Sequence, residues 1–125
     1  MTWRWPHFTE DEMRCKCGCG KADMNPDFMD KLEALRVRFR KPLPVVSGYR
    51  CPTYNAKVSK TGADGPHTTG RAVDIRISGA HAAVLLTEAA TNFTGFGFNQ
   101  KGPHEQRFIH LDDLVEGPRP NVWSY

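Results

Sequence analysis

Apolar positions along the chain follow two periods, and the switches between them predict the elements. Phe28, Leu32, Leu35 and Phe39 recur at helical spacing, with Lys31, Arg36, Arg38 and Arg40 largely off that stripe. Asn25 suits the N-cap, Pro26 the first turn and Asp27 the positive end of the helix dipole; Lys41-Pro42 stops the helix. A second helix, from about Gly79 to Ala90, starts at Ser78 and places Ala82, Val84, Leu85, Leu86 and Ala89 on its apolar side. Shorter helices are expected at Thr9-Glu10-Asp11-Glu12 and over residues 52–59. By contrast, Arg71-Ala72-Val73-Asp74-Ile75-Arg76-Ile77 nearly alternates apolar and polar and favours β-branched residues, which predicts a strand. Leu43 to Ser47 reads as a strand with a proline near its start. Residues 95–99 and 106–111 pair as a hairpin across 100–105, and Gly95 and Gly97 strip side chains from one face, as suits a cleft floor. The order implies an α+β fold: a small antiparallel sheet near 43–47, 71–77, 95–99 and 106–111, with flanking helices on one side.

Length and composition narrow this picture. The 125 residues form one domain, with 1–24 as an N-terminal arm and 115–125 as a tail that tucks Trp123 onto the body. The net charge of +3 without a Lys/Arg run describes a solvated, mildly basic surface and gives no reason to invoke nucleic acid. No apolar stretch approaches 18 residues, so no membrane span is expected. The opening Met1-Thr2-Trp3-Arg4-Trp5-Pro6-His7 lacks an apolar signal core, so synthesis in the cytoplasm without a signal peptide is expected. A monomer is expected. Cys15, Cys17, Cys19 and Cys51 leave three states open: a structural zinc site, plain buried thiols, or bridges formed outside the cell.

Candidate chemistry gathers in Gly65-Pro66-His67-Thr68-Thr69-Gly70-Arg71-Ala72-Val73-Asp74. His67 lies in a loop just before the strand that carries Asp74, so both side chains can point at one ion. His110, 36 residues after Asp74 on another short strand, can face the same cleft. Two histidines and a carboxylate leave the fourth position of a tetrahedral zinc open to water, which is the arrangement of a hydrolytic site. Such residues also co-occur by chance, so spacing alone does not decide.

His67-x-x-Gly70-x-Ala72-x-Asp74, followed by His110-x-Asp112, resembles the signature of the zinc D-Ala-D-Ala carboxypeptidase group of the M15 peptidases. Bacterial carboxypeptidases and phage endolysins that cut L-alanyl-D-glutamate bonds belong to that group. Ser47-Gly48-Tyr49-Arg50-Cys51-Pro52-Thr53-Tyr54-Asn55 resembles a second signature of it, and the likeness runs from about Phe8 to Leu114. The resemblance implies the hedgehog/D-Ala-D-Ala-peptidase-like zinc fold, Zn2+ held by His67, Asp74 and His110, and Arg50 binding a substrate carboxylate. It implies peptidoglycan stem or cross-link peptides as substrate, and a phage or prophage product that acts at the cell wall after release or as a virion component. Cysteine clusters like this one occur in some relatives.

Two positions depart from the family. Endolysin members carry a glutamate three residues before the last histidine ligand, where this chain has Arg107. Carboxypeptidase members use a histidine slightly upstream, so His104 or Glu105 is the expected base, His104 first because a neutral imidazole is poised near working pH. Gly65 stands where relatives usually have serine. Asp112 shares the face of His110 by strand period and suits a carboxylate that orients a ligand. A non-catalytic zinc-bearing module that binds wall or protein on the same fold is the alternative, favoured by the missing glutamate and opposed by the retained Arg50.

Overall fold

The computed structural model describes residues 3–125; the opening Met1-Thr2 of the segment read for a leader lies outside them. Four helices, α1 (Glu10–Met13), α2 (Pro26–Phe39), α3 (Pro52–Val58) and α4 (Gly79–Ala89), accompany five strands. The strands are β1 (Val45–Ser47), β2 (Ala72–Arg76), β3 (Gly95–Asn99), β4 (Phe108–Asp112) and β5 (Asn121–Ser124), in sheet order β1-β2-β4-β3-β5. The four strands expected from the sequence are mutually antiparallel where they pair. The segment read as a tail adds β5, which runs parallel to β3 and makes the sheet mixed. Its four residues are too few, and too exposed at the sheet edge, to write a period into the sequence.

The helices form where their caps allow. Asn25 Oδ1 accepts from the backbone N–H groups of Asp27 and Phe28, and Pro26 fills the first turn without wasting a donor. Thr9 and Glu12 close a reciprocal capping box on α1. Helix α2 buries Phe28, Met29, Leu32, Leu35 and Phe39, and α4 buries Ala82, Leu85 and Ala89. These pack into one core with Val73 and Ile75 of β2 and Ile109 and Leu111 of β4. Strand alternation sends Asp74, His110 and Asp112 to the opposite face. The N-terminal arm docks by burying Trp5 and Phe8, with Trp5 Nε1 donating to Asp30 of α2 at 2.8 Å. Among the described residues, no helix is long and apolar enough to cross a membrane.

One row of the sheet crosses all five strands. Ser47 pairs with Asp74, Asp74 with His110, His110 with Gly97, and Gly97 with Trp123. The next row on the same face pairs Ala72 with Asp112, Asp112 with Gly95, and Gly95 with Asn121. Gly95 and Gly97 do not open the floor to a substrate backbone as expected, because the chain's own side chains fill the space. A Cβ at Gly95 would lie 2.3 Å from the Asp112 carboxylate oxygens, and one at Gly97 would lie 2.6 Å from Trp123 Nε1.

Gly70 closes the turn between His67 and β2. Its φ is +74°, and an added Cβ would meet the Asp23 carbonyl oxygen at 2.2 Å. Gly70→Ala is therefore expected to lower the unfolding free energy by at least about 1 kcal/mol from the left-handed backbone alone, read as a shifted denaturant midpoint.

Candidate metal centre

Three donor atoms converge on the outer face of the sheet. His67 comes from the 3-10 turn Pro66–Thr69, Asp74 from the middle of β2 and His110 from the middle of β4. All three side chains are buried, and their ligand atoms lie within 4.8 Å of one another. His67 Nε2 is 3.2 Å from Asp74 Oδ1, and His110 Nδ1 is 3.1 Å from the same oxygen.

The far nitrogen of each ring decides the tautomer. His67 Nδ1 lies 2.8 Å from the Gly48 carbonyl, which can only accept, so Nδ1 carries the proton and Nε2 offers its lone pair. His110 Nε2 lies 2.7 Å from Asp112 Oδ2. Arg119 grips that carboxylate with Nε at 2.9 Å and Nη2 at 2.8 Å. Burial opposes the charge, but His110 and Arg119 hold the Asp112 carboxyl down at about 2, so it accepts from His110 Nε2 and leaves Nδ1 as the ring atom that faces Asp74. Two imidazole nitrogens and a carboxylate oxygen thus face one point, a donor set that suits zinc with room for a further ligand. Orientation of each ring by a carbonyl or carboxylate is how metal-binding histidines are held.

Without a cation these groups settle their charge with protons. Burial would raise the Asp74 carboxyl, yet the facing His67 and His110 imidazoles hold it well below the usual carboxylate range. Burial would lower the His110 imidazole, but Asp112 and Asp74 raise it above its ordinary value.

Arg50 follows β1 at the rim. Its Nε donates to Ser47 Oγ at 3.1 Å, Nη1 to Asn55 Oδ1 at 3.1 Å and Nη2 to Asp74 Oδ2 at 3.4 Å. Asn55 is fully buried and also donates to Thr61 Oγ1 at 2.9 Å and to the Gly62 carbonyl, which ties Arg50 to the loop before His67. Gly65 has its reason here: a Cβ would lie 2.0 Å from Thr61 Oγ1, so the threonine hydroxyl occupies the space a larger residue would need.

His67, Asp74, His110 and Arg50 line a cleft of about 800 Å³, walled by Trp123 and Tyr125. The Trp123 ring lies 5.1 Å from that of His110. Burial pushes the Tyr125 phenol up, so it remains an O–H donor at neutral pH. His104 and Glu105 are not brought to this cleft. They sit exposed on the 3-10 turn His104–Gln106, with His104 Nδ1 3.4 Å from Ser78 Oγ beside a separate hollow of about 420 Å³. Sequence reasoning missed Asn55, Arg119 and Tyr125 as parts of the site. Only Asn55 carried a signal, as the last residue of the Ser47–Asn55 motif.

The cysteines gather at a second place. The Sγ atoms of Cys15, Cys17, Cys19 and Cys51 lie within 4.8 Å of one another, and all four thiols are free. Burial opposes ionisation of Cys15, but hydrogen bonds, that from the Cys51 backbone first, pull its thiol down to about 7.

Two outcomes follow for the His/Asp centre. Because the folded His110 value lies above the ordinary 6.5, its stabilisation of the metal-free protein is full below that value and is lost as pH rises through the raised one. Chelated protein should melt at progressively lower temperature on going from mildly acidic to alkaline pH, and zinc, which takes the same lone pair, should flatten that dependence. Asp112→Asn, which removes the charged acceptor behind His110, should weaken zinc binding about 10–100-fold in a competition titration.

A search of curated proteins returns no match. A family model described as Peptidase M15 matches residues 6–112, which takes in the cysteine cluster, both motifs and every proposed ligand. With that span covering most of the chain, the protein belongs to the peptidase M15 family.

Proposed function

We propose that this domain is a zinc-dependent peptidase that hydrolyses peptidoglycan stem or cross-link peptides, of the D-Ala-D-Ala carboxypeptidase or endopeptidase type. The proposal extends to a phage or prophage origin and to action at the cell wall, after release or from a virion. One observation carries the chemistry: His67 Nε2 and His110 Nδ1 both lie within 3.2 Å of Asp74 Oδ1 in a cleft rimmed by Arg50.

Zinc, when bound by His67, Asp74 and His110, supplies a Lewis acid that polarises the scissile carbonyl and activates water for attack. The chain's own groups supply position. Gly48 and Asp112 hold the two rings, so the donor set needs little rearrangement. Ser47 and Asn55 preset the Arg50 guanidinium. Its longest contact, Nη2 to Asp74 at 3.4 Å, is the one a substrate carboxylate would replace. Tyr125, also on the cleft wall, offers a donor to a peptide carbonyl. A base role for His104 or Glu105 requires residues 100–106 to fold over the cleft when substrate binds.

A second reading, a non-catalytic zinc-bearing module that binds wall or protein, has its own observation. Among the described residues that line the cleft, the only imidazoles and carboxylates are the three proposed ligands.

The test is cleavage of synthetic stem peptides, one ending in D-Ala-D-Ala and one containing the L-alanyl-D-glutamate bond, with chelator and with zinc added back. Chelator-sensitive cleavage is expected. Arg50→Lys should raise KM about 10–100-fold for a peptide whose free carboxylate lies at the cleft, the worth of one charged hydrogen bond. Unchanged turnover in both His104→Ala and Glu105→Ala would remove their base role. Zinc bound without cleavage of either peptide would select the binding module.

A further inference from the structure

The three cysteines of the arm and Cys51 meet although the loop carrying the first three is far from Cys51 in sequence. Cys15 Sγ lies 3.4 Å from Cys17 Sγ, and Cys17 Sγ lies 3.6 Å from Cys51 Sγ. Four thiolates at about 2.3 Å from a zinc ion define a tetrahedron with edges of about 3.8 Å, close to these separations. Left-handed turns at Gly18 (φ +92°), between Cys17 and Cys19, and at Gly20 (φ +82°) fold the loop back on itself. It is closed by hydrogen bonds from Cys15 N–H to the Lys21 carbonyl at 2.8 Å and from Arg14 Nη1 to the Gly20 carbonyl at 2.6 Å.

The backbone also points donors at the sulfurs. Cys51 N–H donates to Cys15 Sγ at 3.3 Å, and Tyr54 N–H donates to Cys51 Sγ at 3.4 Å. Cys51 occupies the N-cap of α3. Cys15 is buried while Cys17 and Cys19 are exposed, so the group has a side anchored in the core and a side open to an entering ion.

We propose that Cys15, Cys17, Cys19 and Cys51 form a structural tetrathiolate zinc site, separate from the His67/Asp74/His110 centre. Four protein ligands leave no open position, so this ion holds structure and takes no part in hydrolysis. What it holds is the arm against the turn that serves the cleft. Tyr49 N–H donates to the Met13 carbonyl at 2.9 Å, and Gly48 has no Cβ because one would lie 2.7 Å from Met13 Cα. Gly48 supplies the carbonyl that orients His67, and Arg50 immediately precedes the fourth cysteine. The thiolate ion thereby braces two groups of the first site without touching it.

The experiment is metal analysis of the full chain purified under reducing conditions. It is run on wild type, on His67→Ala/His110→Ala and on Cys17→Ser/Cys19→Ser, beside the absorption spectrum of wild type loaded with Co2+. Two zinc ions per wild-type chain are expected. The histidine variant should keep one, with its thiols protected from a thiol reagent until chelator is added. The cysteine variant should keep one at most and melt at lower temperature. Cobalt-loaded wild type should show intense thiolate-to-metal charge transfer in the near ultraviolet, a signature the His/Asp centre cannot give. A cobalt spectrum without that band, or a histidine variant that binds no zinc and reacts at all four thiols, would overturn the site. Either result leaves the peptidase reading untouched, since chelator-sensitive cleavage depends on the other ion.

Discussion

The hydrogen bond from His110 Nε2 to Asp112 fixes which nitrogen of that ring faces the cleft, and much of the outer sheet face is arranged around it. Two residues apart on β4, the pair shares a face by strand period alone. The carboxylate is gripped by Arg119 from the segment leading into β5 and needs the space left by Gly95 on β3. Two strands and the segment before β5 thus converge on the orientation of one imidazole. A buried ion pair of this kind is weak evidence for added stability. Its role is to fix a tautomer.

The sheet divides its duties by face. Val73, Ile75, Ile109 and Leu111 bind it to α2 and α4, while the residues between them carry the donor atoms. Neither function had to compromise the other's packing. The outer face is finished by β5, whose Trp123 fills the space over Gly97 and leans on His110. Another buried charge, Asp113, joins Arg71 of the segment before β2 to Lys31 of α2 and so pins the helix layer to the start of β2.

The sequence disclosed the elements whose period is long or strict. Helix α2 announced itself through four apolar residues and its cap, and β2 through alternation. The candidate triad His67, Asp74 and His110 was legible because its residues belong to a recognisable motif, and the structure brings all three together. Strand β5 was not legible, being four residues at an edge. Nor was the use of Arg119 and Tyr125, which reach the cleft only because β5 pairs beside β3, a long-range event that no local pattern records. His104 looked close to His110 along the chain, but the connection it occupies turns it toward Ser78. Sequence proximity to a strand end says little about which side a loop falls on.

Because ligand and core residues alternate along β2 and β4, each of these strands reads two messages in one frame of parity. Inserting or deleting a single residue within β4 would send Ile109 and Leu111 into the solvent-facing cleft and press His110 and Asp112 against Phe28 and Leu85. Chemistry and folding would fail together. Length changes in descendants of this chain are thereby confined to the connections, such as residues 59–65, where Ser59, Lys60 and Thr61 line the cleft and can drift while the donor atoms stay in phase.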